Sequence, residues 1–155
     1  MTLEERIQRL EDIQDIKTLK HHYSDFCDRD YDPIGISELF TEDGVWDGGA
    51  FGRHEGRQAI HDGFAAASDQ VAFAIHHATN PIIEVDGDSA TGQWFLWQPM
   101  VTADGQAMWM GARYNEIYVR VEGKWMFKEL VLDIRMMSPY EHGFGKMRFP
   151  PAPAE

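Results

Sequence analysis

SATGQWFLWQPMVTADGQAMWMGARYNEIYVRVEGKWMFKELVLDIRMMS, residues 89–138, reads as three long extended runs, 89–102, 107–121 and 124–138. Ala103-Asp104-Gly105-Gln106 and Glu122-Gly123 separate them, and both carry the residue types of hairpin turns. A fourth run, 72–85, precedes them across Asp86-Gly87-Asp88. Runs of this length are near the upper limit for strands, so a sheet built from them must coil. Upstream of residue 70 the period is helical instead. Leu3, Ile7, Leu10, Ile13, Ile16, Leu19, Tyr23 and Phe26 recur in steps of three and four, one stripe on one helix. Thr2 and Glu5 have the spacing of a capping box. Asp32-Pro33 starts a second helix that runs to about Leu39-Phe40, a short strand follows around Val45-Trp46, and residues 57–68 form a third helix. Helices followed by an antiparallel meander make an α+β domain over residues 1–138, with an irregular Pro-rich tail over 139–155. A strongly curved sheet wrapped on the N-terminal helices leaves an apolar hollow between them, where a ligand fits.

With 155 residues the chain has room for one domain, and its 43% apolar and 12% aromatic composition is that of a globular core. Twenty-six Asp+Glu against 14 Lys+Arg give a formal charge of −12, which argues against nucleic-acid and membrane-surface partners. Cys27 is the sole cysteine, so no internal disulfide forms. The start is charged (Glu4, Glu5, Arg6) and no apolar run approaches membrane-spanning length. These features lead us to expect a cytoplasmic protein.

Seven histidines make acid–base chemistry the first question. His76 and His77 are neighbours on an extended run, so only one of them can face the hollow. Metal chemistry lacks its usual signatures: there is no His-x-His, no His-Glu-x-x-His, and His54-Glu55 with His61 is not a ligand spacing, so no metal is expected. Cys27 stands beside Asp25 and Asp28, which raise rather than lower a thiol pKa. Gly48-Gly49-Ala50-Phe51-Gly52 lacks the Lys-Ser/Thr ending of a phosphate loop. What remains is Tyr23, Asp28 and His76. Tyr23 and Asp28 are five residues apart, roughly 140° around a regular helix. Core packing for Tyr23 and a solvated helix end for Asp28 is the competing reading. An acid at a helix C-terminus runs against the macrodipole, which hints at another purpose for Asp28.

The order of several short motifs is similar to that of the SnoaL-like branch of the nuclear transport factor 2-like superfamily. They are Tyr23-Ser24-Asp25-Phe26-Cys27-Asp28, Leu39-Phe40-Thr41-Glu42-Asp43-Gly44-Val45-Trp46, Gly52-Arg53-His54-Glu55-Gly56-Arg57, His76-His77-Ala78-Thr79-Asn80, and Gly111-Ala112-Arg113-Tyr114 leading to Gly123-Lys124-Trp125. The likeness spans about residues 7–135 and implies a cone, a curved antiparallel sheet on three N-terminal helices with an apolar central cavity. Within the branch the chain resembles the dehydratase and dehydrohalogenase group, which pairs a helix-borne Asp with a strand-borne His. Asp28 and His76 match those positions, and Tyr23 matches a Tyr that lines the site in one member. The group often carries an Arg late in the last strand. The counted position here is Leu130, and Arg135 fills that role only if the register differs.

The resemblance implies a cofactor-independent lyase or isomerase, in which Asp28 orients His76, His76 takes a proton next to a carbonyl, and Tyr23 binds that carbonyl or protonates the leaving group. A small hydrophobic, ring-like molecule is the expected partner. Trp46, Trp94, Met110, Tyr114, Asn80 and Arg135 are the candidate substrate-binding residues. Trp97, Met100, Met108, Met136 and Met137 are further possible lining residues, although an aromatic or Met stripe at strand spacing also describes plain core. The same fold serves non-catalytic ligand binders and the small structural subunit of ring-hydroxylating oxygenases, and both stand as alternatives. The family implies a homo-oligomer, trimer or dimer, and the tail at Phe149-Pro150-Pro151 is a candidate to close over a pocket or a neighbouring subunit.

Overall fold

A computed structural model describes residues 1–151; the end of the expected tail, residues 152–155, lies outside the described residues. Helix α1 spans Leu3–Asp28 and opens with the full capping box, Glu5 N–H donating to Thr2 Oγ1 and Thr2 N–H to Glu5 Oε2. Its apolar stripe is not buried along its whole length. Leu3, Ile7 and Leu10 are exposed, and burial begins at Asp12 and continues through Ile16, Leu19, Lys20, Tyr23 and Cys27. Helix α2 (Pro33–Glu38) starts where Asp32 Oδ1 accepts from the amides of Ile34 and Gly35, with Pro33 in the first turn where its missing N–H costs nothing. Strand β1 (Phe40–Asp47), the short β2 (Arg53–Glu55) and helix α3 (Arg57–Ala67) follow. The chain then enters β3 (Val71–Ala74), β4 (His77–Asp86), β5 (Ser89–Thr102), β6 (Ala107–Val121) and β7 (Lys124–Pro139).

The seven strands form one curled sheet in the order β2-β1-β7-β6-β5-β3, with β4 on the same edge of β5. Two expectations need correction. The sheet is mixed, not antiparallel throughout, because β1 pairs β7 in parallel. The connection from β1 to β7 is about half of the chain, so no hairpin constrains their direction. The run expected over 72–85 is two strands, broken at Ile75-His76. The His76 amide donates to the Asp28 carboxylate at 2.9 Å instead of to a neighbouring strand.

Strands β5 to β7 bury alternate residues, and register shifts in β6–β7 after Gly111 and after Ile117 bend the ladder into the cone. At the Glu122-Gly123 turn both residues have positive φ, 49° and 79°, the backbone that a right-twisted two-residue hairpin needs. The narrow end of the cone is packed solid by Ile16, Ile36, Phe40, Tyr118, Phe127 and Leu130. No helix among the described residues is long and apolar enough to cross a membrane.

A buried ion pair ties α1 to the sheet. Lys20 Nζ meets Glu116 Oε1 of β6 at 2.5 Å with neither side chain exposed, and Tyr118 donates to the same carboxylate while accepting from Trp94 Nε1. Burial pushes the Lys20 ammonium below its ordinary pKa, and Glu116 pulls it back up. Removing one member strands the other charge, at a cost of about 3–5 kcal/mol, whereas apolar residues at both positions avoid that penalty. Chemical denaturation should therefore show Lys20→Met strongly destabilised and Lys20→Met with Glu116→Leu recovering much of the loss. A double variant no more stable than the single one would contradict the assignment.

Candidate active site

Above the packed end the cone opens into a cavity of about 780 Å³, walled by α3, the end of α1 and the wide half of the sheet. Its floor is Tyr23 and Tyr114, and the Lys20 ammonium lies beneath them, 3.2 Å from the Tyr114 ring centre and 4.6 Å from that of Tyr23. Trp46 lines one wall and donates from Nε1 to the Tyr23 hydroxyl at 2.9 Å, a contact that does not use the phenol proton, and the Cys27 thiol lies against the same hydroxyl. Burial pushes the phenols of Tyr23 and Tyr114 well above their ordinary pKa, so both remain hydrogen-bond donors.

His76 lines this cavity, while Asp28 sits behind it in a smaller pocket of about 210 Å³. Asp28 Oδ1 is 2.7 Å from His76 Nδ1 and also accepts the His76 backbone N–H. A carboxylate can only accept, so Nδ1 must carry the ring proton and Nε2 is left as the basic nitrogen. The His76 side chain is 6% exposed and that of Asp28 30%. The imidazole is thus held by its backbone and its ring at once, and the acid reaches water behind it.

Tyr31, which the sequence reading passed over, packs edge-on against His76, 5.7 Å between ring centres. It arrives there through an unusual turn. After α1 ends, Asp30 and Tyr31 both take left-handed backbone, φ 60° and 54°, and the amides of Tyr31 and Asp32 close back onto the carbonyls of Cys27 and Phe26. Left-handed conformation costs a non-glycine residue roughly 1–2 kcal/mol, and strain of this kind gathers at functional sites. Burial also raises the Tyr31 phenol above its usual value. Gln98 is a second unread residue: it lines the cavity at 2% exposure, and among the described residues its Oε1 has no hydrogen-bond partner. An inward position on β5 was the only available signal for it, and a single glutamine among Trp, Leu and Met is easily passed over.

Of the other candidates, Trp46, Met110, Tyr114, Met100 and Met137 line the cavity. Trp94, Asn80 and Arg135 do not. Trp94 faces inward lower in the cone, edge-on to His21 and bonded to Tyr118. Asn80 is exposed, with φ 52°, at an irregularity of β4 beside Pro81, where its left-handed backbone serves the bulge. Arg135 is exposed and falls where β7 skips a partner, between Met136 opposite Gly111 and Ile134 opposite Ala112. Leu130 is fully buried and stands opposite Trp46 in the parallel pair. Trp97 faces outward onto Trp109, and Met108 and Met136 also lie outside the lining. The described part of the tail contributes nothing to the wall either. Among the described residues no three His, Cys, Asp or Glu side chains come together as a metal-binding set.

A SnoaL-like domain model matches residues 8–131. The chain belongs to the SnoaL-like domain family. Solved structures agree on the fold of this SnoaL-like protein. A Novosphingobium aromaticivorans protein described as an aromatic ring hydroxylase is 25% identical, with 88% of this chain and 96% of that one covered at a TM-score of 0.78. One from the same organism described as a scytalone dehydratase is 22% identical, with coverage of 95% and 97% and a TM-score of 0.78. The hexachlorocyclohexane dehydrochlorinase of Novosphingobium barchaimii is 20% identical, with coverage of 95% and 99% and a TM-score of 0.80. All three share the α+β cone fold seen here.

Cys27, buried and outside this cavity's wall, has its thiol pushed up to about 12, chiefly by burial. Iodoacetamide should leave it unmodified in the folded protein from neutral pH to about two units above, and label it fully in denaturant. Rapid alkylation of the native protein would contradict that environment.

Proposed function

We propose that this SnoaL-like protein is a cofactor-independent lyase or isomerase that removes a proton next to a carbonyl, in a dehydratase-like elimination or a double-bond shift, on a hydrophobic ring-like substrate. The observation that carries the reading is the Asp28–His76 contact of 2.7 Å with the imidazole on the wall of a mainly apolar cavity. Asp28 holds the proton on Nδ1 and stabilises the imidazolium once Nε2 has taken a proton from carbon. Tyr23 donates its hydroxyl proton to the carbonyl or to the departing group, with Trp46 fixing the oxygen from the other side. General acid–base catalysis supplies about 10²–10⁴-fold, so orientation and the exclusion of water within the cavity must supply the rest. Trp46, Met110 and Tyr114 are assigned to substrate contact.

Enones and β-hydroxy carbonyl compounds screened for proton exchange or loss of water test this directly. His76→Ala and Asp28→Asn should each lower kcat by at least about a hundredfold with the fold intact by circular dichroism. Full activity in either variant would reject the dyad. Saturable binding of an apolar ketone without any turnover, unaffected by His76→Ala, would replace the enzyme with a binding module.

The reading includes a homo-oligomer, trimer or dimer. Ile82, Phe95, Trp97 and Ile117 stand on the outer sheet face, each more than a third exposed, a row that a second copy would cover. Light scattering should give a multiple of the 17.8 kDa chain mass, and a monomer at micromolar concentration would contradict it.

A further inference from the structure

The cavity wall carries a second imidazole. His54 of β2 lies opposite Trp46 of β1 in the register and stacks on its indole, ring centres 5.6 Å apart and planes 21° apart. On its other side it presses against α3 at Gly63. A Cβ at that position would fall 2.4 Å from His54 Nε2 and 2.6 Å from Cδ2, so the ring occupies the space that any other residue at 63 would fill. Both His54 and Gly63 line the cavity. The Nε2 edge is thus turned onto α3, and among the described residues the imidazoles with a side-chain hydrogen bond are His61 and His76, not His54. Stacking and a glycine seat therefore fix an imidazole with Nε2 against the helix and Nδ1 as the nitrogen left for a ligand.

His54 and His76 are joined by an unbroken arc of rings. His76 meets Tyr31 at 5.7 Å, Tyr31 meets Phe64 at 6.0 Å, Phe64 meets Trp46 at 5.1 Å, and Trp46 meets His54. The apolar surface of one cavity wall thus has a hydrogen-bonding imidazole at each end. We propose that His54 is a specificity-determining residue that binds a second oxygen, a hydroxyl or carbonyl, on the ring-like substrate at the end away from the reacting carbon. This rests on the functional reading above for the role of His76, but the binding itself does not require catalysis. Nothing in the arrangement assigns His54 a proton-transfer step. Its part is to hold one end of a two-headed, otherwise apolar molecule, so that the other end is presented to His76 Nε2.

α-Tetralone and its analogue with a hydroxyl on the far ring carbon are the probes, with binding to the oligomeric full chain followed by calorimetry and by tryptophan fluorescence, since Trp46 stacks on His54. A neutral hydrogen bond is worth about 0.5–1.5 kcal/mol net, so the wild type should prefer the hydroxylated ketone by about two- to tenfold. His54→Phe keeps a stacking ring without the nitrogens and should abolish that preference while leaving α-tetralone affinity within about twofold. Gly63→Ala leaves His54 chemically intact but displaces its ring, and should abolish the preference too, with circular dichroism showing that the fold survives the overlap. Asp28→Asn should retain the preference, which separates failure of this assignment from failure of the dyad. Equal affinity of the two ketones for the wild type, failure of both to bind, or a preference that survives His54→Phe would overturn the proposal.

Discussion

A fully buried lysine against a fully buried glutamate is the constraint on which the architecture turns. Lys20 leaves α1 three residues before Tyr23 and eight before Asp28, and Glu116 rises from the middle of β6. Once that pair is made, the rotation of α1 about its axis is fixed, because among the described residues the ammonium pairs with no other carboxylate. Tyr23 then forms the cavity floor and Asp28 arrives at the level of the break between β3 and β4. Tyr118 donates to the second carboxylate oxygen and in turn accepts from Trp94, so each oxygen of Glu116 has a donor, which helps make a buried charge pair tolerable. The ammonium also lies under the rings of Tyr114 and Tyr23, so one interaction supports both the helix docking and the cavity floor.

The dyad depends on a second interruption of regular structure. At the break the Ile75 amide donates to the Pro99 carbonyl of β5, so the His76 amide turns to the open edge of the sheet, where water would ordinarily take it. Instead the Asp28 carboxylate captures that amide and the adjacent ring nitrogen together, so the imidazole cannot pivot without losing two hydrogen bonds. The strained turn at Asp30-Tyr31 begins where α1 ends and brings a phenol edge against the same ring. Three features, a helix end, a strand break and a left-handed turn, thereby converge on one imidazole.

The helices, the hairpin turns and the lengths of β5 to β7 were readable because each rests on local chemistry: a capping box, Asp-Pro at a helix start, glycine at turns, a period of two. The parallel pairing of β1 with β7 was not, since partners more than 80 residues apart leave no local signal. Motif order and spacing singled out Tyr23, Asp28 and His76; Tyr23 and His76 line the cavity, and Asp28 lies behind it with its carboxylate on the His76 ring. Residues around them followed geometry that spacing does not encode. Trp94 faces inward yet lies too deep, Asn80 bends a strand, and Arg135 falls in a register shift on the outer face. Tyr31, Gln98 and His54 escaped because their presence on the wall comes from a left-handed turn, one inward strand position and a glycine on a different element.

The acidity noted at the outset also acquires a location. Residues 1–43 hold 12 of the 26 acids against 5 bases, and most of these acids are solvated on the helical side. Asp28 differs from them in facing a buried imidazole. The most direct measurement of that relationship is nitrogen-15 NMR of the His76 ring. The neutral imidazole should carry its proton on Nδ1 with a strongly hydrogen-bonded signal, and Asp28→Asn should abolish that signature. A ring protonated on Nε2, or one indifferent to the loss of the Asp28 charge, would contradict the account.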